Sequence, residues 1–108
     1  MAGRAIERLG IAEQMKGKTI LVPGAQAAEV VAKGEAELGI AQASEIVPVS
    51  GVELVGSLPG EFATMTVFAG AVAADSRSPE AAKTFLEFLA TPDATTTFKA
   101  KGFQGTLK

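Results

Sequence analysis

Two short stretches carry residue types suited to holding a small anion. The first is Pro23-Gly24-Ala25, which follows the β-rich run Thr19-Ile20-Leu21-Val22 and precedes a helix-compatible run. A strand end that feeds a helix start is where parallel α/β sheets bind ligands. Free N–H groups and a partial positive charge at a helix start suit an anion, and Gly24 lets a ligand come close to the backbone. The same residues also read as a plain Pro-Gly turn. The second stretch is Gln42-Ala43-Ser44, directly after the run 37–41. The Gln42 amide and the Ser44 hydroxyl can each donate and accept. If both preceding runs are parallel strands, Gly24, Ala25, Gln42, Ala43 and Ser44 converge on one sheet edge. The competing reading makes Ser44 a turn cap and leaves Gln42 in solvent.

Other chemistry is poorly served. The chain has no Cys and no His, which removes disulfides, thiol nucleophiles, imidazole bases and the usual zinc ligand sets. Glu29, Glu35 and Glu37 are not placed to face one cleft as an acid/base pair must; they read as solvated. Ser76-Arg77-Ser78 has no accompanying base, and Ser78 reads as a helix cap. The glycines do not form a phosphate loop with its Lys-Ser or Lys-Thr. Phe85 and Phe88 read as core residues. No cofactor or metal is expected, and the chain is read as a binding module with no enzymatic role.

Charge supports a small-molecule partner. Lys and Arg number 10 against 12 Asp and Glu, a net charge of −2. No basic run offers a nucleic acid its phosphate contacts or an anionic membrane a polybasic patch. The longest apolar stretch, 64–74, is about half of the ~20 residues a membrane helix needs, so no membrane insertion is expected. Polar and charged residues follow Met1 at once, with no signal peptide pattern.

The elements that would position these residues follow from periodicity. Ala2, Ala5, Ile6 and Leu9 fall on one helical face, with Gly10 as a left-handed stop. A further helical turn is predicted at 12–16. Strands are expected at 18–22, 37–41, 52–55 and 65–74. A helix over 25–33, burying Ala27, Val30 and Val31 and ending at Gly34, joins the first two strands in a right-handed parallel βαβ unit. Ser44 is expected to cap a turn that Pro48 stops. Residues 57–62 read as a linker. Ser78-Pro79-Glu80 and Thr91-Pro92-Asp93 are helix starts with a cap, a Pro and an acid. The first of these helices should bury Ala82, Phe85, Leu86 and Leu89; the second should end at Gly102. Aromatic residues are 6% of the chain, all of them Phe, so the core should be light.

The stretches Arg8-Leu9-Gly10-Ile11, Leu21-Val22-Pro23-Gly24 and Gly34-Glu35-Ala36-Glu37-Leu38-Gly39-Ile40 resemble periplasmic solute-binding proteins of the molybdate-binding kind, which have the type 2 periplasmic binding protein fold. So do residues 51–59, Thr66-Val67-Phe68, Ala71-Val72-Ala73-Ala74, Ser78-Pro79-Glu80-Ala81-Ala82 and Phe98-Lys99-Ala100-Lys101-Gly102-Phe103. Order and spacing carry the likeness, which covers the C-terminal half of such a protein. It implies a two-lobed fold with an oxyanion between the lobes. Residues 1–63 would be most of lobe two, an α/β lobe with the βαβ unit. Residues 64–108 would be a long strand and helical hairpin returning to lobe one. It also implies a periplasmic location and an ABC transporter permease as partner of the full-length protein.

By that likeness one ligand contact falls at the Gly24 backbone N–H and another after Gly39-Ile40. The molybdate binders carry Tyr at the second position and this chain carries Gln42, which suits a different oxyanion or a carboxylate. The remaining family contacts come from a first half that this chain lacks. Without lobe-one partners, the strand at 65–74 would be open to association, so a homodimer exchanging strand and hairpin is expected. Two alternatives stay open: a self-associating fragment without a ligand, and an organic-acid isomerase on the same fold.

Overall fold

Helix signals in this chain are local, and each one that forms does so beside its own stop. The computed structural model describes residues 2–104; Met1, on which the signal-peptide reading rests, and residues 105–108 lie outside them. The chain divides into two compact units, Met1–Met65 and Thr66–Lys108.

The first unit opens with α1 (Ala2–Arg8), whose buried residue is Ala5. Gly10 follows at φ +71°, and its N–H donates to the Glu7 carbonyl at 3.0 Å. This left-handed stop needs glycine. Helix α2 (Ala12–Met15) adds one turn. After Pro23 the chain makes a tight 3₁₀ turn at Gly24–Gln26 and runs straight into α3 (Ala27–Ala32). Ala28 is the buried residue of α3, while Ala27, Val30 and Val31 are half-buried. The start of α3 therefore packs on a methyl group and not on the valines that periodicity selected. Gly34, at φ +77°, ends it. Helix α4 (Ala43–Ile46) and a second 3₁₀ turn (Gly60–Phe62) complete the unit. Arg8 pairs with Glu61 and lies 5.8 Å from the Phe62 ring centre. Both partners of that ion pair are exposed, so it contributes at most about 1 kcal/mol.

The second unit is the helical pair α5 (Pro79–Leu89) and α6 (Pro92–Ala100). Pro92 stands at the start of α6, and the Thr91 hydroxyl accepts from the Ala94 N–H at 3.4 Å. Ser78 sits at the cap position of α5 without a side-chain capping bond. Instead, the Ser76 hydroxyl accepts from the Ser78 N–H at 3.2 Å. Gly102 turns the chain out of α6 at φ +90°. Phe103 then packs edge-on against Phe68 and Phe98, with ring centres 5.7 and 5.5 Å away. Leu86 faces Gly70 so closely that a Cβ there would stand 2.6 Å from the leucine Cδ2.

The expected parallel α/β lobe is not what forms: the described residues contain no strand and no sheet. The runs at 18–22, 37–41, 52–55 and 65–74 are irregular. A strand is held by a partner's backbone and by apolar packing on at least one face. Here Leu21 is 92% exposed, Val55 90% and Val67 88%. No partner backbone pairs with these runs, and apolar packing covers them only in part, as at Phe68 and Gly70. The buried apolar residues among those described are Ala5, Ala28 and Ala94. Phe85, expected in the core, is 60% exposed and its neighbour Phe88 55%. On α5 the buried stripe is Ala82, Leu86 and Leu89, each half-covered, and the two phenylalanines lie beside it.

The aromatic cluster makes a direct prediction. Phe103→Ala removes two edge-to-face ring contacts and should destabilise the second unit by at least about 1 kcal/mol. A lower urea midpoint with an unchanged slope would register this.

Candidate functional site

The connection between α3 and α4 brings the predicted site residues together by short-range rules. The Gln26 N–H donates to the Pro23 carbonyl at 2.8 Å, which closes the 3₁₀ turn. Gly24 opens that turn and Ala25 follows; both are exposed. At the far side of the connection Gln42 is the cap residue of α4, with extended backbone at φ −69° and ψ 145°. The 3₁₀ turn, α3 and α4 all contact one another. Gly24, Ala25, Gln42, Ala43 and Ser44 thus lie in one neighbourhood without the sheet expected to collect them.

A close backbone passage makes this possible. A Cβ at Gly39 would stand 3.1 Å from Cγ2 of Val31 and 3.2 Å from the Ala27 carbonyl oxygen. The chain leaving Gly39 therefore runs hard against the side of α3 and delivers residue 42 beside the start of that helix. A side chain here would be tighter than ordinary van der Waals contact, and Val31 and the Ala27 carbonyl would have to give by a few tenths of an ångström.

The residue that joins the two halves is Glu45. Gln42 and Glu45 form a capping box. The Glu45 carboxylate accepts from the Gln42 N–H at 3.2 Å, and the Gln42 side chain accepts from the Glu45 N–H. That N–H also donates to the Gln42 carbonyl at 2.9 Å. Such reciprocal pairing satisfies donors that a helix start leaves open. The same carboxylate reaches across to the 3₁₀ turn. A Cβ at Gly24 would meet its Oε2 at 3.1 Å and its Oε1 at 3.3 Å. Gly24 is thus a close-approach glycine whose near neighbour is the chain's own carboxylate.

Two expectations change here. Ser44 does not cap the turn; it is the second residue of α4, and Gln42 caps. Gln42 and Ser44 are both half-buried, so Gln42 is not a freely solvated amide. Glu45 was missed as a site residue. Its signal was the spacing Gln42-x-x-Glu45, a variant of the Ser/Thr-x-x-Glu box. Glu29, Glu35 and Glu37 are exposed, and among the described residues no three carboxylates gather as a metal site would require. A separate shallow concavity of about 290 Å³ lies between α1 and the second 3₁₀ turn, lined by Arg4, Ala5, Glu61, Phe62 and Thr64.

Comparison with known proteins adds to this picture. The chain matches bacterial extracellular solute-binding proteins over residues 1–104. It is 35% identical to an aconitate isomerase from a Pseudomonas species over 97 residues, which is 90% of this chain and 37% of that protein. The chain therefore spans little more than a third of this relative. No solved structure matches significantly. The family match is to extracellular solute-binding proteins in general and does not carry the narrower molybdate-binding assignment. The relative also corrects the expectation that the chain has no enzymatic role, because an isomerase shares most of its length. The physical point is that lacking His and Cys removes only imidazole and thiol chemistry. Carboxylates remain, and these also move protons; amides and hydroxyls remain as hydrogen-bond partners.

The Gly39 passage yields a test. Gly39→Ala should destabilise the first unit by about 1–3 kcal/mol, because the added methyl forces Val31 and the Ala27 carbonyl to shift by a few tenths of an ångström. Thermal unfolding of the variant should begin well below that of the parent chain.

Proposed function

The chain belongs to the family of bacterial extracellular solute-binding proteins, and from that premise we propose that it forms part of an organic-acid isomerase built on a solute-binding fold. The observation that carries this reading is the 35% identity to an aconitate isomerase across 90% of the chain. Supporting it, Gln42 offers an amide that can donate to a ligand carboxylate. The proposed ligand contacts are the backbone at Gly24 and Ala25, and Gln42, Ala43 and Ser44. The Gln42 amide and Ser44 hydroxyl would donate to ligand carboxylates. Each such charge-assisted bond contributes roughly 1.5–3 kcal/mol. A periplasmic location accords with the extracellular family.

Turnover is the test. The protein should interconvert cis- and trans-aconitate, followed by chromatographic separation of the two isomers. Gln42→Ala and Ser44→Ala should each lower kcat/KM by about tenfold or more, the loss of one bond to a charged group. Full activity in both variants would show that the site lies elsewhere.

The exposed apolar runs bear on assembly. With Leu21, Val55 and Val67 about nine-tenths in solvent, the reading includes a homodimer in which further polypeptide covers them. Light scattering should return a mass near twice the 11.0 kDa of one chain. A mass equal to one chain contradicts the dimer and leaves the ligand reading standing.

A further inference from the structure

We propose that the concavity between α1 and the second 3₁₀ turn is a further small-molecule site, one that takes a monocarboxylate with a short apolar tail. It measures about 290 Å³ and is lined by Arg4, Ala5, Glu61, Phe62 and Thr64. None of these belongs to the neighbourhood of Gly24 and Gln42, so the inference goes beyond the ligand reading above and does not depend on it. Charge decides the sign of the ligand. Arg4 and Arg8 are four residues apart on α1 and therefore share a face. Glu61 is already paired with Arg8, and the Arg8 guanidinium lies over the Phe62 ring, 5.8 Å from its centre. These two contacts hold the Glu61–Phe62 wall against α1 and neutralise the carboxylate in the lining. Arg4 has no ionic or hydrogen-bond partner among the described residues. It is the unpaired charge of the lining, and its planar fork matches a carboxylate.

The rest of the lining sets the number of charges and the size. One free guanidinium takes one carboxylate, and the Thr64 hydroxyl is a second donor at the rim. A further carboxylate on the ligand would meet Glu61, a like charge. The uncharged part of the ligand has the Ala5 methyl and the half-buried Phe62 ring to cover. The volume lies at the lower end of the range for ligand pockets, roughly 300–1,000 Å³, which fits a short acid. This ligand class differs from the tricarboxylate proposed for Gln42 and Ser44, so the two sites can be told apart by the acids they answer to.

The experiment follows backbone amide shifts of the whole chain during titration with 3-methylbutanoate. One bond to a charged group and a small apolar contact in an open concavity should give saturation on the order of 1 mM, with the shifts gathered at residues 4–5 and 61–64. The neutral 3-methylbutanamide has the same tail and should bind about tenfold or more weakly, the loss of one bond to a charged group. Arg4→Gln should cost the acid the same factor, with circular dichroism checking that the helix content is kept. Equal affinity for acid and amide overturns the proposal. So does undiminished affinity in a folded Arg4→Gln, or shifts spread over lysines and arginines at large, which would report an adventitious anion. A stronger response of these residues to trans-aconitate overturns the assignment to a single carboxylate. If Arg4→Gln loses helix content, the comparison of acid with amide in the parent chain decides alone. Each of these failures leaves the isomerase reading standing, because turnover and the Gln42 and Ser44 variants test that separately.

Discussion

One carboxylate ties the first unit together where the turn before α3 meets the start of α4. Glu45 closes the box that starts α4 and at the same time lies against Gly24 at the turn that starts α3. Two short helices, neither long enough to be stable alone in water, share this contact. The path that brings them together runs through Gly39, which passes close to Val31 and the Ala27 carbonyl.

The rest of the chain is held lightly. Among the described residues the buried apolar ones are alanines, and burying an alanine removes little apolar surface from water. The second unit relies on the Phe68, Phe98 and Phe103 rings and on Leu86 over Gly70. In a structure with this little core, hydrogen-bonded caps and glycine stops carry a larger share of the order than usual. The Thr91 cap, the Gln42–Glu45 box and the turns at Gly10, Gly34 and Gly102 are all of this kind.

The sequence made the local features legible and left the non-local ones obscure. Ser78-Pro79 and Thr91-Pro92 mark the starts of α5 and α6, and Gly10 and Gly34 mark stops, because each signal acts within a few residues. The strand predictions failed at 18–22, 37–41, 52–55 and 65–74 because β propensity says how a residue fits a sheet, not whether a partner is present. Phe85 was assigned to the core by its spacing, although the face that α5 buries is set by where Gly70 meets Leu86. At the site, Gly24, Ala25, Gln42, Ala43 and Ser44 do come together, but a helix–helix contact achieves it in place of a sheet edge. Ser44 was named as the cap because serine favours that position, while Gln42 fills it through the reciprocal pairing with Glu45.

The central claim is that the turn at Gly24 and the start of α4 form a single ligand seat. Backbone amide shifts followed during titration with trans-aconitate test it most directly. The account predicts that Gly24, Ala25, Gln42, Ala43 and Ser44 move together along one saturation curve. Shifts confined to one of the two stretches, or centred on the Arg4 and Glu61 concavity with these five unmoved, would contradict it.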